Sequence, residues 1–167
     1  MKLYALIFCV VAIATIPAGA EQAAAAKATS KAKAPVAAKG GPRTIELTAT
    51  ETMKFDKTRL TARPGEKLHV VLKSVGSMPK VVMAHNFVLL QADASALEVN
   101  NAAFTARETD FIPDSMRDKI IAFTPLAGGG ETVDVTFDAP KKRGSYTFLC
   151  TFPGHFVQGM KGTLVVK

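Results

Sequence analysis

From Thr44 onward the chain is written in short runs of alternating apolar and polar residues separated by turn residues, and that period restricts its fold most. In TIELTAT, Ile45, Leu47 and Ala49 fall on one side and polar residues on the other, the pattern of a strand with one buried face. Leu68-His69-Val70-Val71-Leu72 follows the turn Arg63-Pro64-Gly65-Glu66. HNFVLLQ, DKIIAFTP and ETVDVTFDAP read as further strands, the last after a Gly128-Gly129-Gly130 turn, and GSYTFLCTF and KGTLVVK close the chain. Short strands at regular spacing with turn signals between them predict a β-sandwich. Residues 92–118 break the pattern: helix formers from Ala94 to Val99 predict an insertion carrying a short helix.

The strands occupy 43–167, about 125 residues, enough for one core. What precedes them differs in kind. Residues 1–20 have Lys2, an apolar run from Leu3 to Ile16, and small residues ending Ala18-Gly19-Ala20, the layout of a secretory signal cleaved after Ala20. The apolar run is shorter than the roughly 20 residues of a membrane-spanning helix, and retention as an anchor is the alternative. Cys9 is not read as a lipid attachment site, because Phe8 before it is bulky. Residues 21–42 are nearly all Ala, Lys, Gly, Pro, Ser and Thr, with too little apolar surface to offset the entropy of ordering, so a disordered basic linker is expected.

The formal charge of +7 divides into +3 on the domain, +3 on the linker and one unit at Lys2. A charge carried by a flexible arm suits loose attraction to an anionic surface or an acidic partner. Nucleic-acid binding needs a basic face with motif support, which is not found, so no nucleic-acid partner is expected.

Removal of the signal leaves one cysteine, Cys150. A lone thiol in an oxidising compartment forms no internal disulfide and survives when buried or bound. It opens CTFPGHFVQGM, where Cys150, His155 and Met160 share one loop, and His85 in MAHNFVLL begins another strand. Taken singly, these read as core or surface residues. A Cys–His nucleophile lacks the surrounding context such a pair needs. Two imidazoles, a thiolate and a thioether form a mixed N/S set in which zinc gains little from the thioether, whereas copper accepts all four.

CTFPGH followed by MKGTL closely resembles the copper loop of azurins, which are cupredoxins. GSMPKVVMAHNFVL resembles their first-histidine segment, and IAFTPLAGGGETVDVTFD the strands before the loop. The resemblance spans most of 68–167. It implies an eight-stranded Greek-key β-sandwich with one type 1 copper ion, an exported, periplasmic single-electron carrier rather than an enzyme, and redox-protein partners docking weakly near His155. If the N-terminal segment is retained, the protein is membrane-anchored instead. By position, His85, Cys150 and His155 are the equatorial ligands and Met160 the axial one. The carbonyl before the first histidine, here on Ala84 instead of glycine, is a weak axial contact. Asn86 and Phe152 supply backbone amides to the thiolate, and Thr151 pairs with Asn86. Met83, Pro153 and Phe156 would rim the exposed edge of His155.

The chain also departs from azurins. Four residues, Phe156 to Gly159, separate His155 from Met160 where azurins have three, as in plastocyanins and auracyanins, and the extra one is expected to be absorbed near Gly159. Gln158 becomes a spare axial candidate. The N-terminal disulfide of azurins is missing, and their two non-ligand histidines fall at Ser74 and Phe123. His69 is expected to be a structural or surface residue. A copper storage or delivery module is the alternative function; a closed ligand set on a sandwich favours redox use. With three histidines in all, the chain lacks ligands for a second copper centre.

Overall fold

Alternation along the first strand, β1 (Arg43–Thr50), decides which face is covered: Ile45, Leu47 and Ala49 are buried. The computed structural model describes residues 41–167. The signal segment 1–20 and all but the last two residues of the linker 21–42 lie outside the described residues. Short β2 (Lys54–Phe55) and β3 (Arg59–Ala62) precede β4 (Lys67–Val75), whose Leu68, Val70, Leu72 and Ser74 face inward. β5 (Ala84–His85) and β6 (Val88–Leu90) lead into α1 (Ala96–Ala103). Two 3₁₀ turns, Arg107–Thr109 and Asp114–Lys119, precede β7 (Ile120–Phe123) and β8 (Ala127–Gly128). β9 (Thr132–Asp138), β10 (Gly144–Leu149) and β11 (Lys161–Val166) complete the chain.

Two sheets face one another, in the orders β2-β1-β4-β9 and β3-β11-β10-β6-β7, and a two-stranded ribbon joins β5 to β8. β1 runs parallel to β4 with Ile45 opposite Val70, and β3 runs parallel to β11; the remaining pairs are antiparallel. β2 and β3 are one strand that changes sheets at Asp56-Lys57-Thr58. β5 with β6, and β7 with β8, are likewise single strands interrupted at Asn86-Phe87 and at Thr124-Pro125-Leu126. Eleven hydrogen-bonded runs therefore make the eight strands of the sandwich. HNFVLLQ is thus one strand with a break at Asn86-Phe87. The Gly128–Gly130 segment is not wholly a turn: Gly128 pairs with Ala84, and the bend falls on Gly130 at φ 78°. A Cβ on Gly128 would lie 2.8 Å from the Lys80 Cβ, so the ribbon needs glycine there.

Phe148 lies in the middle of the main core, with ring centroids 5.5 Å from Phe55 and 5.3 Å from Phe87. Gly162 lies opposite it on β11 and leaves room for the ring. The 92–118 insertion explains why Val88-Leu89-Leu90 is apolar without interruption. Leu89 points into the main core, while Val88 and Leu90 join Val99, Ile112 and Leu149 in a second cluster beneath α1. The helix starts at Ala96 because Ser95 caps it, its hydroxyl accepting the Glu98 N–H at 3.3 Å.

Candidate metal centre

His85 reaches the site from the end of β5, where its backbone is paired with Ala127 of β8. Cys150 follows the last residue of β10, and Met160 precedes the first of β11, so both ends of the loop are anchored in one antiparallel pair. The Cys150 N–H donates to the Met160 carbonyl at 3.1 Å, and the Met160 N–H donates to the His155 carbonyl at 3.0 Å. His155 in turn donates its N–H to the Phe152 carbonyl at 3.1 Å. Gly154 and Gly159 turn the loop at φ 86° and 88°, in the left-handed region that glycine enters without steric cost. Of the two, only Gly159 lies in the Phe156–Gly159 segment between His155 and Met160.

These constraints bring three ligand-type side chains together. The nearest ligating atoms of His85, Cys150 and His155 all lie within 4.8 Å of one another, and Cys150 Sγ is 3.5 Å from His155 Nδ1. The two imidazole centroids are 4.9 Å apart. Met160 is fully buried at the same end of the core, whereas Gln158 is exposed, with its carbonyl accepting the Lys54 ammonium. The thioether, not the amide, is buried as the other donors are.

Burial sets the protonation of the group. It holds His85 down at about 4, with the Glu51 carboxylate pulling slightly the other way, and His155 at about 4, where His85 adds to the effect. Burial also pushes the Cys150 thiol up to about 12, against the backbone N–H groups of Asn86 and Phe152, which favour the thiolate. Two neutral imidazoles and a thiol are thus confined in one apolar pocket. Neither Nδ1 nor Nε2 of His85 has a hydrogen-bond partner, although both are buried. A buried polar group in that state costs roughly 1–3 kcal/mol per unmade bond and signals a partner such as an ion. A metal ion that accepts N, S and thioether donors satisfies one of those nitrogens and displaces the thiol proton. The residues present fit copper.

Residues 42–167 match the model of the family described as copper binding proteins, plastocyanin/azurin family. The chain belongs to that family. It is 39% identical over 129 residues to auracyanin-A of Chloroflexus aurantiacus, covering 76% of each chain. It is 39% identical over 127 residues to azurin of Pseudomonas aeruginosa, covering 74% of this chain and 84% of that one. Among solved structures, the reduced auracyanin of Roseiflexus castenholzii superposes with a TM-score of 0.67 at 35% identity, over 77% of this chain and 99% of that one. The chain is thus a plastocyanin/azurin-family sandwich.

Hydrogen bonds and packing tie the residues around these donors together. Asn86 Oδ1 accepts the Thr151 N–H at 2.9 Å, and Asn86 Nδ2 donates to Thr151 Oγ1 at 2.8 Å. Asn86 Nδ2 also lies 3.3 Å from the Asp110 carbonyl, which brings the insertion into the network. Phe152 packs between His155, at 4.9 Å, and Phe111, at 5.3 Å. Ala84 is fully buried in the ribbon. His69 lies away from the centre and pairs with Asp134 at 2.9 Å across the outer face of β4 and β9. Ser74 is buried, and Phe123 lies beneath the Arg117 guanidinium at 4.0 Å.

Sequence reasoning missed three supports. Thr124 is buried, and its hydroxyl accepts the Phe87 N–H at 3.0 Å, bridging the gap between β5 and β6. Glu51 accepts the Ser77 and Met78 N–H groups at 2.8 and 3.0 Å, fixing the segment that leads to His85. Lys54 reaches the metal loop. Each contact joins residues far apart in the chain, and none carries a local motif.

Proposed function

We propose that this domain is an exported single-electron carrier in which His85, Cys150 and His155, with Met160 as a weak axial donor, hold one copper ion. The Ala84 carbonyl is a candidate second axial contact. A copper ion so bound supplies a one-electron Cu(II)/Cu(I) couple. The observation that carries the reading is the pair of orphaned nitrogens on buried His85, with the Cys150 sulfur and the His155 ring within 4.8 Å. The protein's own residues do the rest. The backbone bonds among Cys150, His155 and Met160 hold the donors in a preformed arrangement, so a change of charge requires little movement. The amides of Asn86 and Phe152 aim at the sulfur and draw charge from it, which tunes the couple.

Electron exchange needs a surface close to the site. His155 is itself only 2% exposed, while Met83, Pro153 and Phe156, which we read as the rim of that surface, are half-buried, and Val82 and Val157 are exposed at 55% and 67%. An apolar surface of this kind suits small, short-lived contacts with redox proteins. The carrier reading, rather than an enzyme, is supported by three histidines in all, two of them in this site. For the rest of the chain we read 1–20 as the export signal and 21–42 as the tether preceding the domain, with a periplasmic destination after cleavage. Membrane attachment facing the periplasm or exterior follows if the segment is kept.

Voltammetry of the copper-loaded domain tests the reading. A reversible one-electron wave, with repeated reduction and reoxidation without loss of copper, is expected. Copper that binds but is released on reduction would instead mark a storage or delivery module.

A further inference from the structure

Of the four residues between His155 and Met160, Phe156 packs against the second apolar cluster, and the other three have little to hold them. Val157 is 67% exposed and Gln158 is exposed, so neither packs into the core. The turn is closed locally by Gln158 N–H to the Gly154 carbonyl at 3.3 Å and Gly159 N–H to the Phe156 carbonyl at 2.9 Å. Two lysines bracket it. The Lys161 ammonium lies 4.9 Å above the Phe156 ring at one side. At the other, the Lys54 ammonium donates to the Gln158 carbonyl from β2, a strand 104 positions earlier. Among the described residues, that is the only hydrogen bond tying Phe156–Gly159 to a part of the chain outside the loop and the strand after it. The same ammonium would lie 3.1 Å from a Cβ on Gly159, so it sits against the Gln158–Gly159 peptide, one residue before Met160.

We propose that Lys54 is a positioning residue for Met160: by holding the Gln158–Gly159 peptide, it fixes where the chain delivers the thioether to the site. The base of Lys54 is well placed for this. Thr50 and Lys54 are paired across β1 and β2, and Phe55 beside it is locked against Phe148 in the core, so the lysine stem rises from a rigid strand. Its positive charge, held close to the axial donor, also favours the reduced form of the centre, to an extent that salt diminishes because the side chain is exposed. The consequence for the couple rests on the copper reading above; the positioning itself is a property of the metal-free loop.

The test compares the full domain with Lys54→Met, which keeps the stem and removes the donor, and Lys54→Arg, which keeps charge and donors. In metal-free protein, amide hydrogen exchange at Met160 and Lys161 should be at least ten-fold faster in Lys54→Met and near wild type in Lys54→Arg. Exchange at Val70 in the core should not change. In copper-loaded protein, Lys54→Met should lower the reduction potential and shift the visible bands, with Lys54→Arg restoring both. Unchanged Met160 exchange in Lys54→Met, or a loss that Lys54→Arg does not repair, would overturn the assignment. If the wild-type domain takes up no copper, the copper reading fails while the exchange comparison still decides the role of Lys54.

Discussion

Asn86 and Thr151 exchange hydrogen bonds across 65 positions of sequence: Asn86 Oδ1 accepts the Thr151 N–H at 2.9 Å, and Asn86 Nδ2 donates to Thr151 Oγ1 at 2.8 Å. Each residue immediately follows a proposed ligand, His85 or Cys150, so the pair locks the two halves of the site together. Asn86→Ala leaves the buried Thr151 amide and hydroxyl without their partners. A loss of about 2–3 kcal/mol is expected, read as a lower denaturant midpoint with an unchanged m value. The same variant should loosen the site and alter the visible spectrum of the copper form. Undiminished stability would show that water or a neighbour replaces the side chain.

Acid should weaken the metal-free domain through its two buried histidines. Their folded-state values lie near 4, against 6.5 for a free imidazole. Between those limits the unfolded chain binds protons that the folded one excludes, so this contribution is complete above pH 6.5 and is lost as pH falls toward 4. The slope is at most about 1.4 kcal/mol per pH unit for each histidine. Cys150 acts in the opposite direction at the alkaline end: its thiol rises from 9.0 to about 12, so stability falls above pH 9. Denaturant titrations of the apo domain at pH 5, 7.5 and 10 should give the highest midpoint at 7.5. His85→Phe should flatten the acid limb, and an acid limb of wild-type steepness in that variant would refute the assignment.

Gly162→Ala should destabilise the sandwich without touching the site. A Cβ there would lie 2.2 Å from Phe148 Cζ and 2.6 Å from the Thr58 carbonyl oxygen, and neither can yield without disturbing the core or the β3–β11 pairing. Overpacking of this kind costs about 1–3 kcal/mol. Thermal unfolding of the apo protein measures it, and a melting temperature equal to that of wild type would show that the Phe148 ring is free to move aside.

Much of this architecture was legible because one face of each long strand is buried and the other is wet. Ile45, Leu47 and Ala49 alternate with polar residues for that reason, and so do Leu68, Val70 and Leu72. The site was legible because Cys150, His155 and Met160 lie on one loop, where spacing alone brings donors near each other. His85 joined them through its place at the head of a strand. The hidden parts depend on tertiary contacts. The change of sheet between Phe55 and Arg59, and the pairing of Ala84 with Gly128, occupy runs too short to show a period. Gly128 read as part of a turn because its need for glycine comes from Lys80, distant in sequence. Val88-Leu89-Leu90 concealed its alternation because the insertion covers the outer face as well as the inner. The reach of Lys54 to Gln158 is invisible until the strands are assembled.

Copper(II) titration of the purified domain, followed by visible absorption, tests the central claim most directly. The account predicts an intense thiolate-to-copper band that saturates at one equivalent in the wild type and is absent in Cys150→Ser, with His85→Ala weakening or abolishing it. A pale spectrum in the wild type, or an intense band that survives in Cys150→Ser, would contradict it.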